Sequence, residues 1–155
     1  MNFVKQRKNG CSVAAVRNCL LYLGYEFSDK AIRDLINTDE KNGTDDDDIV
    51  DGLKEINFVS KRYSLTSRNE FKKIIDRELK KKNPIILTTD FALHHVALIE
   101  IKGKKYKVVD SHFKNLKEYL DFNQLDSLSS SFNKEKLKTE YHLIVIERIW
   151  SKSKT

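Results

Sequence analysis

Cysteine, proline, glycine and long apolar runs are all scarce in this chain, and each shortage excludes something. Two cysteines among 155 residues, Cys11 and Cys19, allow at most one disulfide. Placed on one helix they stand roughly 12 Å apart along its axis, at ~1.5 Å rise per residue, which is too far to bridge. With the four histidines they are too dispersed for the close ligand pairs of a zinc site. Five glycines form no Gly-rich phosphate loop. "TDDDD", residues 44–48, lacks the glycine and distal glutamate of a hand-type calcium loop. No metal or cofactor is expected. No apolar run approaches a bilayer span, so no membrane span is expected either. The opening "MNFVKQRKNG" has basic residues but no apolar stretch or cleavage site behind them, so it does not read as a signal peptide. A cytoplasmic protein is expected, or one exported by a route that these residues do not reveal.

What is present is a foldable mixture. Hydrophobic residues at 39% and charged residues at 34% place the chain between membrane-like and disordered compositions. The length predicts one domain over residues 1–150, with 151–155, "SKSKT", as a disordered basic tail. The net charge is +6, but the lysines of "DRELKKKN", "EIKGKKYK" and "SFNKEKLK" are interleaved with acids. That is a solvated surface, not the one-sided basic face of a nucleic-acid protein.

Periodicity divides the chain into two halves. From Cys11 to Leu23, Val13, Val16, Leu20 and Leu23 recur at helical spacing, and Gly24 stops the run. "SDKAIRDLIN" predicts a second helix capped by Ser28. "GTDDDDIVDGLKEIN" predicts a third, capped by Thr44, with its aspartates in the electropositive first turn. A short strand over 57–64 and a helix over 67–82 follow, and the single proline, Pro84, opens the strand "PIILTT". Beyond it "HHVALIEI", "KYKVVD", "NLKEYL" and "YHLIVIERI" read as strands, with a hairpin turn at Gly103 and a loop with a helical turn or two over 122–137. The predicted class is α+β, an N-terminal helical half packed on a C-terminal antiparallel sheet.

The chemistry begins at Cys11. It follows "NG" and opens the first helix, where unpaired backbone N–H groups favour a thiolate. Cys19, in mid-helix, has no such advantage and reads as a small buried hydrophobe. A cysteine nucleophile needs a base and the base an orienting group. His94 and His95 open one strand, and Asp110 closes the next.

"QRKNGCSVAAVRNCLLYLG" resembles the opening of the bacteriocin-processing, double-glycine-leader peptidases, a branch of the papain-like cysteine peptidases. The Gly43-Thr44 pair before an acidic helix, "NPIIL", and "HHVALIEIKGKKYKVVD" follow in that family's order, so the resemblance runs from Gln6 to Asp110. It implies a papain-like fold and a peptide or protein substrate ending in small residues. It implies Cys11 as nucleophile, Asp110 as the group orienting the histidine, and Gln6 as an oxyanion donor beside the Cys11 backbone N–H.

Family spacing favours His94 as the base, with His95 the second choice. A strict two-residue turn at Gly103-Lys104 would put His95 on the face of Asp110, and a bulge would restore His94. Gln6 stands five residues before Cys11 where the family usually has six, Ser12 stands where it usually has glycine, and Ser111 follows Asp110 in place of proline. A stand-alone domain is expected. A glutamine deamidase or acyl transferase with the same triad, or a degenerate fold that only binds peptide, are the alternative readings.

Overall fold

A computed structural model describes residues 3–4, 10–37, 44–89, 94–109 and 118–147. Helix α1 spans Cys11–Tyr22, α2 Asp29–Leu35 and α3 Asp46–Glu55. Strand β1 (Ser60–Leu65) and helix α4 (Arg68–Lys80) precede β2 (Ile85–Thr89), β3 (His94–Lys102) and β4 (Lys105–Val109). Then come β5 (Glu118–Leu120), α5 (Phe122–Ser129), β6 (Ser131–Asn133) and β7 (Lys138–Ile146). Every described strand pairing is antiparallel, in the order β1-β7-β2-β3-β4-β5, with β6 also on β7.

Local chemistry sets the helix starts. Ser28 accepts from the Ala31 N–H and Ser67 from the Glu70 N–H, each satisfying one orphan donor. At α3 the cap is Asp45 rather than the expected Thr44, and Asp46, Asp47 and Asp48 fill the first turn. The helical turns expected within 122–137 are present as α5, and strand β6 is the part that was not expected. Asp121 and Gln124 form a reciprocal capping box that starts the two-turn α5, and β6 pairs with β7 immediately after it.

The central strands are buried on both faces, so their side chains alternate between two cores. Ile86, Ala97, Val109, Ile144 and Ile146 point to the face covered by α1, α2 and α3. Ile85, Leu87, Val96, Leu98, Val108, Leu143 and Val145 point to the other, under α4 and α5. The α+β expectation of helices packed on an antiparallel sheet holds, with the helices divided between the two faces.

A bulge between Leu98 and Glu100 shifts the β3–β4 register, so Ala97 pairs with Val109 and Glu100 with Lys107. Ile99 keeps the α1 face of Ala97, and the bulge turns Ile101 to the opposite one. Helices α2 and α3 meet closely at Gly52, where a Cβ would lie 2.6 Å from the Leu35 carbonyl oxygen.

Candidate active site

Cys11 is the first residue of α1, after Gly10 as N-cap. Unlike α2, α4 and α5, this helix start has no side-chain cap among the described residues, and its first turn carries no acid. Cys11 stands in the positive field of that helix N-terminus. The thiol is half-buried. Cys19, two turns on, is fully buried with its Sγ 3.7 Å from the Ile85 carbonyl oxygen, and burial raises its pKa. Both cysteines are free thiols.

The sheet face decides which histidine ring goes where. Ala97 and Val109 lie under α1, and His95, two residues before Ala97, shares their face. Its Nδ1 lies 2.9 Å from Ser12 Oγ, and Ser12 Oγ lies 3.9 Å from Cys11 Sγ. On the other side of the ring, Nε2 is 3.1 Å from Asp46 Oδ1. The His95 side chain is only 8% exposed. His94 is half-buried at the strand's first position, and its carbonyl accepts from Thr89 Oγ1 at 3.1 Å.

Electrostatics at the sulfur favour the anion. Burial alone would raise the Cys11 pKa. Hydrogen bonds from the His94 and His95 side chains and from the His95 backbone outweigh it, and the thiol is lowered to about 5. His95 shows the mirror effect. Burial disfavours its charge, but the Asp46 carboxylate and Cys11 bring it up to about 9. Asp46 is itself buried against the charged form, yet His95, Arg62 and His142 hold its pKa below the usual value. Arg62, on β1, places Nε 3.7 Å from Asp46 Oδ2 and Nη1 2.9 Å from Asp47 Oδ1. At neutral pH the site is a thiolate beside an imidazolium that is in turn beside a carboxylate.

The structure thus brings together Cys11, His94 and His95. Gln6 and Asp110 lie outside the described residues. Asn18 holds the backbone of Val4, accepting from its N–H at 2.8 Å and donating to its carbonyl at 3.2 Å. Sequence reasoning missed Asp46 as a partner of His95 and Ser12 as its second contact. The aspartate run read only as charge for a helix start. The departure from glycine at position 12 was the one visible sign that something else was held there.

Among the described residues no helix is long and apolar enough to cross a membrane. No curated protein sequence matches the chain. Among solved structures, a double glycine motif protease from an AMS/PCAT transporter, in complex with the leader peptide, is similar at TM-score 0.64 and 17% identity, over 92% of this chain and 88% of that one. The peptidase domain of Streptococcus ComA, a bi-functional ABC transporter involved in quorum sensing, matches at TM-score 0.64 and 16% identity, over 92% and 95%. A C39-like peptidase from Bacillus anthracis matches at TM-score 0.56 and 13% identity, over 96% and 95%. These likenesses establish the papain-like fold. The model of the Peptidase_C39 like family matches residues 1–153, and with a cysteine at the helix start facing histidines on the sheet, the chain belongs to that family of cysteine peptidases.

Proposed function

We propose that the protein hydrolyses a peptide bond after small residues through a Cys11 acyl-enzyme. The observation that carries this reading is the position of Cys11, at a helix N-terminus with two imidazoles hydrogen-bonded to its sulfur.

The thiolate attacks the scissile carbonyl carbon, and the oxygen takes up the negative charge. The Cys11 backbone N–H and the Gln6 side-chain amide donate to that oxyanion, each such donor supplying on the order of 3 kcal/mol. His94, the half-buried ring, carries the proton to the departing amine, and Asp110 orients it. Water then attacks the thioester as His94 takes its proton, releasing the acid and restoring the thiolate. Preference for small residues before the bond follows the family resemblance. It is supported by the similar double glycine motif protease, whose structure contains the leader peptide.

The test is incubation with peptides ending a leader in paired glycines, followed by mass spectrometry of the products. New termini after the glycines are expected from the wild type and none from Cys11→Ala or His94→Ala. Cleavage retained by Cys11→Ala, or a glutamine deamidated with no new terminus, would sink the reading.

A further inference from the structure

We infer that His95 and Asp46 form a second histidine–carboxylate unit, distinct from the proton-carrying His94, whose fixed charge holds Cys11 as a thiolate with the Ser12 hydroxyl beside it. The inference rests on the reading of Cys11 as the nucleophile and deepens it.

The first support is the occupancy of the ring. Both nitrogens of His95 are engaged, Nε2 by Asp46 at 3.1 Å and Nδ1 by Ser12 at 2.9 Å. A ring that is 8% exposed, with a carboxylate on one nitrogen and the Ser12–Cys11 side on the other, is held in one orientation. His94 precedes it at the strand's open end and is less buried.

The second support is the origin of the carboxylate. Asp46 comes from the first turn of α3, on the same side of the sheet as α1, and Arg62 on β1 fixes its other oxygen. The pair therefore ties the helical layer to the sheet directly beneath the nucleophile.

The third is Ser12, the buried residue that follows the nucleophile. With His95 protonated, Nδ1–H donates to Ser12 Oγ, and the serine O–H is left to donate toward the sulfur 3.9 Å away. An oriented hydroxyl thus joins the charge that His95 presents to the thiolate, and no bond is made or broken. His95 is a positioning residue here, and preorganised charge of this kind acts on the nucleophile without turning over itself. Among the described residues, the titratable and charged groups facing the unit are His94 and Cys11 at its front, Asp46 from α3, Arg62 from β1 and His142 from β7.

The test compares wild type, His95→Gln, Asp46→Asn and His94→Ala. Iodoacetamide labelling of Cys11 is followed against pH by mass spectrometry, and peptide cleavage is followed against pH in parallel. In His95→Gln and Asp46→Asn the labelling midpoint should move up by about one unit or more, making the rate at pH 6 about tenfold slower. Both variants should regain cleavage above about pH 8, where an ordinary thiol ionises, whereas His94→Ala should cleave at no pH. Circular dichroism identifies variants that fold, and Asp46→Asn keeps size and hydrogen-bonding capacity should His95→Gln fail. An unchanged midpoint in folded Asp46→Asn, or cleavage retained by His94→Ala and lost at every pH in His95→Gln, overturns the inference. Labelling needs no substrate, so it is read independently of whether the right peptide has been found.

Discussion

His95 Nε2 lies 3.1 Å from Asp46 Oδ1, closing the first turn of α3 onto the start of β3 beneath the residue that opens α1. Forty-nine residues separate the two in the chain. Their contact makes three elements converge on one sulfur, and most of the expected behaviour of the protein follows from that convergence.

The first expectation concerns pH. Cys11 is lowered from 9.0 to about 5, so its contribution to stability is fully present above 9.0 and is lost as pH falls through about 5. His95 is raised from 6.5 to about 9, so its contribution is fully present below 6.5 and is lost as pH rises through about 9. Both charges coexist between about 5 and 9, so kcat/KM should rise through about pH 5, where Cys11 ionises beside the charged His95. A profile with a single limb rising near pH 8.5, that of an unassisted thiol, would contradict the ion pair.

Cys19 should behave as core alone. Its thiol is fully buried and its pKa is raised, so native protein should take up one alkyl group at Cys11 and denatured protein two. Cys19→Ala should cost on the order of 1 kcal/mol in a denaturant titration and leave cleavage unchanged. Rapid native labelling of Cys19 would show that the helix does not pack as described.

Gly52 is the tightest approach between α2 and α3. A methyl group there would meet the Leu35 carbonyl oxygen at 2.6 Å, and backbone cannot step aside as a flexible side chain can. Gly52→Ala should therefore destabilise by about 1–3 kcal/mol. Since α3 carries Asp46, the variant should also raise the labelling midpoint of Cys11. A melting temperature equal to wild type would refute the close packing.

The beginning of α5 depends on its capping box. Asp121 accepts from the Gln124 N–H at 2.8 Å while Gln124 Oε1 accepts from the Asp121 N–H at 3.0 Å. Asp121→Ala should cost about 1 kcal/mol, read as a shift in the denaturation midpoint with cleavage retained.

Much of this architecture was legible in the sequence because it is written locally. The extent of α1, the Ser28 cap and the strand opened by Pro84 each depend on a few neighbouring residues. The class followed from the change of period at mid-chain. The turns of α5 were legible, but strand β6 was not, because its three residues lie in the polar run "SLSSSF" and its neighbours, and its pairing with β7 is not local.

The site was legible in part. Cys11 stands out because a helix start is itself a local feature. Which histidine ring meets which partner was not legible, since it depends on the face that α1 covers as well as on the β3–β4 register. The bulge at Leu98–Glu100 is present, yet the alternation of β3 under α1 turns His95 toward Ser12 and Asp46. Asp46 was hidden for a further reason. An acid in a first turn already has a local explanation in the helix dipole, and nothing in the run of four aspartates marks the one that meets an imidazole.

The most direct measurement of the central claim is the mass of the protein itself during turnover. Wild type mixed with a peptide ester ending in two glycines and quenched in acid should carry the acyl group, and digestion should place it on the segment containing Cys11. Cys11→Ala should show no adduct and no product. Product formed by Cys11→Ala, or an adduct on another residue in the wild type, would contradict the account.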